Sequence, residues 1–169
     1  MRIFHIPAYT DNYIWVMQSG SDISIIDPGD ASPVLDHVKN NDLNIVDILL
    51  THHHFDHVGG TLELKKHISG KVYGPVGDIN GVDIQVSEND EVKTLDYKFS
   101  VLETPGHTLD HIAYVEKRKQ LVFCGDTLFS AGCGRVFEGT FEQMHNSIQK
   151  LNQLDPETVC LLYTSPSPR

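Results

Sequence analysis

The stretch "THHHFDHVGG", residues 51–60, places four of the chain's ten histidines and one aspartate within six positions. It follows the apolar run "NIVDILL", residues 44–50, which predicts a strand buried on both faces. Four imidazoles and a carboxylate would be costly to bury without partners. Bound metal would satisfy them together, so the stretch predicts a metal site at the end of a buried strand.

The spacing within this stretch indicates how the side chains divide. His52 and His54 are two residues apart, so in an extended segment they point the same way, and His53 points the other way. We therefore assign His53 no ligand role. Asp56 and His57 come after the strand end, where the turning chain directs a second pair elsewhere. Two pairs of ligands so close together predict two adjacent metals rather than one.

Two later stretches complete the set of candidate ligands. His107 follows a Pro-Gly turn in "TPGHTLDHIAY", and Asp126 follows a predicted strand in "LVFCGDTLF". A carboxylate can bridge two metals, so Asp126 is the candidate bridge. His111 fits either a ligand or, as we favour, a residue that orients ligands or packs beside them. Cys124 lies in an apolar strand and is expected to be a buried, inert thiol.

The composition limits the possible partners and compartment. The 169 residues suit one domain or part of a larger one, and the net charge of −10 argues against nucleic acid or an anionic membrane as partner. No apolar run approaches the ~20 residues of a membrane span, and the N-terminus lacks the pattern of a signal peptide. Three cysteines without CxxC spacing favour a reducing compartment. We expect a cytoplasmic monomer.

The hydrophobic pattern predicts sheets covered by helices. A helix is expected in "ASPVLDHVKNND" with Ser32 as N-cap, and another in "GGTLELKKHISG" with Leu62, Leu64 and Ile68 on one face. Thr140 and Gln143 fit a capping box before a third helix. Strands are expected in seven further stretches, "NYIWVMQ", "DISIIDPGD", "KVYGP", "VDIQV", "YKFSVLETPG", "HIAYVEK" and "QLVFCGDT". This order favours a layered α/β sandwich.

The run "THHHFDH" with the later His107 and Asp126 resembles the THxHxDH signature of the metallo-β-lactamase superfamily. The segment "CGDTLFSAGCGRVFEGT", residues 124–140, resembles its glyoxalase II (hydroxyacylglutathione hydrolase) family. "NYIWV", "VYGP" and "FEQM" agree with the bacterial form. The resemblance implies an α/β fold, a four-layer αββα sandwich.

The resemblance also implies a function and a set of site residues. It implies hydrolysis of the small-molecule thioester S-lactoylglutathione, and of related S-acylglutathiones, to glutathione and a 2-hydroxy acid, the second step of methylglyoxal detoxification. Two divalent metal ions would be bound, zinc in preference to iron or manganese. The implied residues are His52, His54 and His107 on one metal, Asp56 and His57 on the other, Asp126 as bridge, Asp56 and Asp126 as catalytic residues, and Arg135 and Phe137 as glutathione contacts.

The sequence departs from the glyoxalase II pattern at its end. The family has one more metal-binding histidine soon after the helix that ends here near Leu154, but this chain reads "ETVCLLYTSPSPR". That ending resembles a translated sequencing adaptor. We expect an incomplete catalytic domain at residues 1–159, a non-native tail at 160–169, and a missing C-terminal helical domain that would bind glutathione. Weaker metal loading and poor thioesterase activity would follow.

Two alternatives remain at this point. One is a persulfide dioxygenase-like oxidoreductase with a single iron, which shares the fold and a similar "GCGR" segment. The other is an inactive metal-binding fragment. A true β-lactamase would more often place a cysteine at the second metal, where this chain offers Asp126.

Overall fold

A computed structural model describes residues 2–163 and contains two sheets that face each other. The first sheet has the order β1-β2-β3-β4-β5-β6, antiparallel from β1 to β3 and parallel from β3 to β6. Its strands are Arg2–Ala8, Asn12–Ser19, Asp22–Ile26, Asn44–Leu49, Val72–Pro75 and Ile84–Val86.

The second sheet has the order β13-β10-β9-β8-β7, with β13 parallel to β10 and the other neighbours antiparallel. In chain order its strands are β7 Glu91–Thr94, β8 Tyr97–Glu103, β9 Ile112–Glu116, β10 Leu121–Phe123 and β13 Val159–Leu161. A small hairpin joins β11 Leu128–Phe129 to β12 Gly132–Cys133.

Helices cover the outer faces of both sheets. They are α1 Ser32–Asn41, α2 Phe55–Val58, α3 Thr61–Leu64 and α4 Phe141–Asn152, with 3-10 turns at Lys65–His67 and Gly125–Thr127. Within residues 2–163, no helix combines the length and the apolar character that a membrane crossing requires.

Three apolar clusters separate four layers. Ile25 packs with Val34 of α1 and Leu64 of α3 on one face of the first sheet. Its neighbour Ile26 points to the opposite face and packs against the second sheet, as alternation along a strand requires. Leu151 of α4 packs on the far side of the second sheet. The predicted four-layer αββα sandwich is therefore confirmed.

Some predicted details hold and others do not. The Thr140 side chain accepts the Gln143 N–H at 3.1 Å, and the Gln143 side chain accepts the Thr140 N–H at 2.8 Å, so the capping box is confirmed. The prediction of Ser32 as N-cap was wrong. Ala31 is the N-cap of α1, and Ser32 begins the helix with its N–H donated to Asp30 Oδ1 at 2.9 Å.

The helix predicted across residues 59–70 is shorter and less regular than its pattern suggested. Only Thr61–Leu64 is α-helical, followed by the 3-10 turn. Leu64 is fully buried, but Leu62 is 56% exposed and was wrongly assigned to the buried face. Of the tail at 160–169, residues 164–169 lie outside the described residues, and its non-native origin stays a prediction.

Candidate metal centre

Three loops that each follow a strand carry four of the six predicted ligands, and the short helix α2 carries Asp56 and His57. The first leaves β4 and contains His52 and His54 before α2 begins. The second follows β8 and contains His107, and the third is the 3-10 turn after β10 that contains Asp126. The layered fold places all three loops together, so residues far apart in the chain form one cluster.

The first group of candidate ligands is His52, His54 and His107. One ring nitrogen from each lies within 4.8 Å of those of the other two. His54 Nδ1 and His107 Nε2 are 2.9 Å apart. His52 and His107 are buried and His54 is half-buried, so the group opens to the surface on one side.

The second group is His52, His57 and Asp126, also with ligand atoms within 4.8 Å of one another. His57 Nε2 lies 3.2 Å from Asp126 Oδ1 and 3.6 Å from Asp56 Oδ2. The other oxygen of Asp126, Oδ2, lies 3.4 Å from His107 Nε2. The two oxygens of Asp126 thus face different histidines, as a carboxylate between two metals would.

Two buried polar atoms in this cluster, His52 Nε2 and Asp126 Oδ1, have no hydrogen-bond partner among residues 2–163. Asp126 Oδ1 is near His57 Nε2 but without hydrogen-bonding geometry. Leaving a buried nitrogen lone pair and a carboxylate oxygen unsatisfied costs ~1–3 kcal/mol each. A divalent cation would satisfy both, and His and Asp donors suit zinc, iron or manganese. The residues therefore fit a divalent metal.

The pKa values of His52, Asp126 and His57 also favour a cation between these side chains. Burial, helped by the neighbouring imidazoles of His57 and His111, lowers the pKa of His52 well below its ordinary value. Burial disfavours ionised Asp126, but the opposing His57 and His107 charges outweigh it and lower its pKa to about 2. His57 is likewise opposed by burial, yet the carboxylates of Asp126 and Asp27 raise its pKa well above its ordinary value. Without metal, a proton on His57 is the cation that these carboxylates hold.

A buried carboxylate outside the ligand set supports two of the histidines. Asp27, fully buried, accepts the Thr51 N–H and the Thr51 hydroxyl, both at 2.7 Å, and the His57 Nδ1–H at 3.1 Å. Because the Thr51 hydroxyl donates to Asp27, its oxygen accepts from His52 Nδ1 at 3.0 Å. Both imidazoles are thereby left with Nε2 facing the cluster. The sequence pattern predicted no role for Asp27, although an acidic residue directly after a buried strand was an available signal.

Asp56, the most exposed candidate ligand, has a partner from the first hairpin. Its side chain is 48% exposed, and Asn12 Nδ2 donates to its Oδ2 at 2.8 Å. Sequence reasoning did not single out Asn12, because nothing in the local pattern connects β2 with α2.

His53 is in neither of these two groups, but its ring offers a ligand atom within 4.8 Å of those of His54 and Glu138, which form a third candidate group. That His53 is not a ligand stays a prediction. Its Nδ1 lies 3.0 Å from Asp110 Oδ1 and its Nε2 lies 3.1 Å from Glu138 Oε1. These three residues line a cavity of about 570 Å³. The two carboxylates already engage both ring nitrogens, so His53 joins the loops that carry Asp110 and Glu138.

The predicted substrate residues lie on the loop beside the first group. The Arg135 carbonyl oxygen accepts His107 Nδ1–H at 2.7 Å, and the Arg135 guanidinium lies 5.4 Å from the Phe137 ring centre. The Phe137 ring is 59% exposed, with its centre 5.6 Å from that of His54. A Cβ at Gly134 would lie 1.9 Å from the Asp126 carbonyl oxygen, so a larger residue would push this loop off the site.

Comparisons with known proteins agree with this geometry. The family model of the metallo-beta-lactamase superfamily matches residues 10–80 and 70–161. A hydroxyacylglutathione hydrolase from Ectopseudomonas mendocina is 46% identical over 162 residues, which are 94% of this chain and 63% of that protein. The chain thus spans less than two thirds of that curated relative.

Solved structures share the fold. ETHE1 from Myxococcus xanthus superposes with a TM-score of 0.86 and 29% identity, covering 100% of this chain and 78% of that one. TTHA1623, described in a di-iron-bound form, gives a TM-score of 0.77 and 28% identity over 95% of this chain and 91% of that one. With the family match over most of its length, this chain belongs to the metallo-beta-lactamase superfamily.

Proposed function

We propose that this chain carries the metal-dependent hydrolase domain of an enzyme that cleaves S-lactoylglutathione and related S-acylglutathiones to glutathione and a 2-hydroxy acid. The observation that carries the proposal is the 46–49% identity, over 94% of this chain, to relatives named hydroxyacylglutathione hydrolase. The clustered histidines and carboxylates supply the donors that such a hydrolase needs. The matched residues make up only 63% of the first of those relatives. The activity of the whole enzyme is therefore proposed for this chain and not shown.

Two divalent metal ions would be held by the cluster. We assign His52, His54 and His107 to one, Asp56 and His57 to the other, and Asp126 to both, with zinc preferred. When bound, such ions supply Lewis acidity that activates water and polarises the thioester carbonyl.

The residues of the chain then orient the reactants. Asp56 is half-exposed beside His57, and its Oδ2, fixed by Asn12, can accept a hydrogen bond from the attacking water. The Arg135 guanidinium offers a paired hydrogen bond to a substrate carboxylate. The exposed Phe137 ring provides an apolar surface next to His54 and His107 for the glutathione portion. These roles are those that the sequence resemblance implied.

A tyrosine lies beside the second group of candidate ligands. The ring centre of Tyr163 lies 5.3 Å from that of His57, and its buried hydroxyl has no hydrogen-bond partner among residues 2–163. Burial raises the pKa of Tyr163 well above its ordinary value, so the neutral phenol is a poor metal ligand. Because the proposed set gives the second metal two donors besides Asp126 and the first metal three, we expect the second metal to be held more weakly.

The test is loss of thioester absorbance from S-lactoylglutathione by zinc-loaded and chelator-treated protein. We expect turnover only with metal, and a KM raised ~10–100-fold in Arg135→Ala, the equivalent of one charge-assisted hydrogen bond. Arg118→Ala removes an exposed arginine from the β9–β10 turn and serves as the matched control with unchanged KM.

Other outcomes would contradict the proposal in distinguishable ways. Oxygen uptake with glutathione persulfide and bound iron would support the persulfide dioxygenase alternative. Bound metal without turnover of either substrate would support the metal-binding fragment.

A further inference from the structure

We infer that His111 is a positioning residue that fixes Asp126 by accepting its backbone N–H. The inference rests on the metal centre of the proposed function but not on its substrate. His111 Nε2 lies 3.0 Å from Asp126 N, and the imidazole is only 1% exposed. No other residue within 2–163 is seen to accept that N–H.

The surroundings of His111 fix its tautomer. Because Nε2 accepts a hydrogen bond, the ring proton of the neutral imidazole is on Nδ1. Nδ1 lies 2.8 Å from Thr104 Oγ1 and 3.3 Å from Thr127 Oγ1, so Thr104 is the better acceptor. The Thr104 backbone N–H in turn donates to the His111 carbonyl at 2.8 Å. The imidazole is therefore held on both edges and cannot rotate without losing bonds at both.

The turn that carries Asp126 needs this support. Asp126 has φ −91° and ψ 20°, outside helical values, within the 3-10 turn Gly125–Thr127. Gly125 has φ +50°, and a Cβ there would lie 2.6 Å from both His111 Nε2 and Thr51 Oγ1. The chain thus passes directly against the imidazole. The position of the His111 imidazole therefore determines where the Asp126 carboxylate points.

His111 also contacts the first ligand loop. Its ring stacks on that of His52, with centres 4.7 Å apart and planes at 25°. In contrast, His111 is in none of the groups of ligand atoms found among the described residues. The His111 imidazole therefore sets the separation between His52 of the first loop and Asp126 of the third. His111 itself contributes no ligand atom.

The experiment compares two amides that mimic opposite edges of the imidazole. In His111→Gln, the side-chain oxygen can reach the position of Nε2 and accept the Asp126 N–H. In His111→Asn, the shorter amide can replace only Nδ1 and its bond to Thr104. The exposed His145 on α4, changed to Gln and to Asn, is the matched control. Zinc affinity and stoichiometry are measured by competition with a chromophoric chelator, and folding by thermal unfolding of the chelated proteins.

We expect His111→Asn to weaken zinc binding ~10–100-fold, the usual cost of removing a residue that orients a ligand. His111→Gln should retain most of the affinity, and both His145 variants should bind as the wild type does. Equal losses in the Gln and Asn variants, no loss in either, or no zinc binding by the wild type would overturn the inference. A wild type that binds zinc but fails to hydrolyse S-lactoylglutathione would count against the thioesterase alone, and the Gln–Asn comparison would still decide the role of His111.

Discussion

Replacing Asp27 with asparagine should weaken both the fold and the metal centre, although Asp27 is not a proposed ligand. The substitution keeps the size of a fully buried side chain. It removes the charge and turns one of two acceptor oxygens into a donor. The carboxylate accepts three hydrogen bonds, two from Thr51 and one from His57 Nδ1.

The magnitude follows from counting donors. If the amide nitrogen takes the place of Oδ1, it faces the Thr51 N–H. If it takes the place of Oδ2, it faces His57 Nδ1–H and the Thr51 hydroxyl, of which only the hydroxyl can rotate to accept instead. Either way one buried donor loses its acceptor, which costs ~1–3 kcal/mol. The remaining bonds lose their charge assistance, which adds about 1 kcal/mol. We expect the free energy of unfolding of the metal-free chain to fall by about 2–4 kcal/mol.

One relaxation is open to the variant, and it has a detectable consequence. His57 can move its proton to Nε2 and accept a hydrogen bond at Nδ1 from the introduced amide group, which recovers part of the stability. Metal binding at Nε2 then requires the single remaining proton to return to Nδ1, where it faces the amide donor instead of the carboxylate that accepts it in the wild type. Stability regained in this way is therefore accompanied by weaker zinc binding.

The assay pairs urea unfolding in chelator with zinc competition. Asp36→Asn, an exposed aspartate on α1, is the control and should change neither quantity. A stability loss below ~0.5 kcal/mol, the size of an ordinary surface substitution, together with unchanged zinc affinity would refute the reasoning.

Three further outcomes are expected. Zinc at a hundred times its dissociation constant should stabilise the chain by ~2.7 kcal/mol, seen as a higher unfolding midpoint that chelator reverses; an unchanged midpoint would contradict a folded-state metal site. Thr140→Ala should cost ~1 kcal/mol in urea unfolding because it removes the capping box of α4, whereas Ser32→Ala should cost almost nothing because α1 has no side-chain cap hydrogen bond to lose; equal losses of stability would contradict this difference. Gly125→Ala should cost more than ~1 kcal/mol and lower zinc affinity, since its φ is positive and the added Cβ meets His111; normal zinc titration and stability would contradict this.

The proximity of the candidate ligands could be predicted because its signals are local. Residues 52–57 form one short motif, and His107 and Asp126 each follow a strand whose apolar pattern is clear. The α4 cap was predictable for the same reason. Ser32 was misassigned because the exact residue at which α1 begins depends on tertiary packing. Leu62 was misassigned because its helix is a single turn, whose length also depends on packing. Hydrophobic periodicity does not report either property.

Asp27 was missed for a different reason: its partners are distant in sequence. It contacts His57 across 30 residues, and the Arg135 carbonyl contacts His107 across 28. No spacing rule connects such pairs, and only the meeting of strand ends in the folded sheets brings them together.

The hydrogen-bond partners of the candidate histidine ligands determine which ring nitrogen each histidine presents to a metal. A carboxylate, a hydroxyl or a carbonyl engages Nδ1 of His57, His52 and His107, which leaves Nε2 of all three facing the cluster. His54 differs, because its Nδ1 is the nitrogen that approaches His107. An imidazole donates on one side and binds metal on the other, so fixing Nδ1–H reserves Nε2 for the metal. In His52, whose pKa is lowered, Nε2 is already a lone pair, and in His57, whose pKa is raised, the metal displaces the Nε2 proton. The fold therefore prepares the site through bonds on the far side of the ligands, and substitutions there should reduce metal affinity while every ligand atom remains in the sequence.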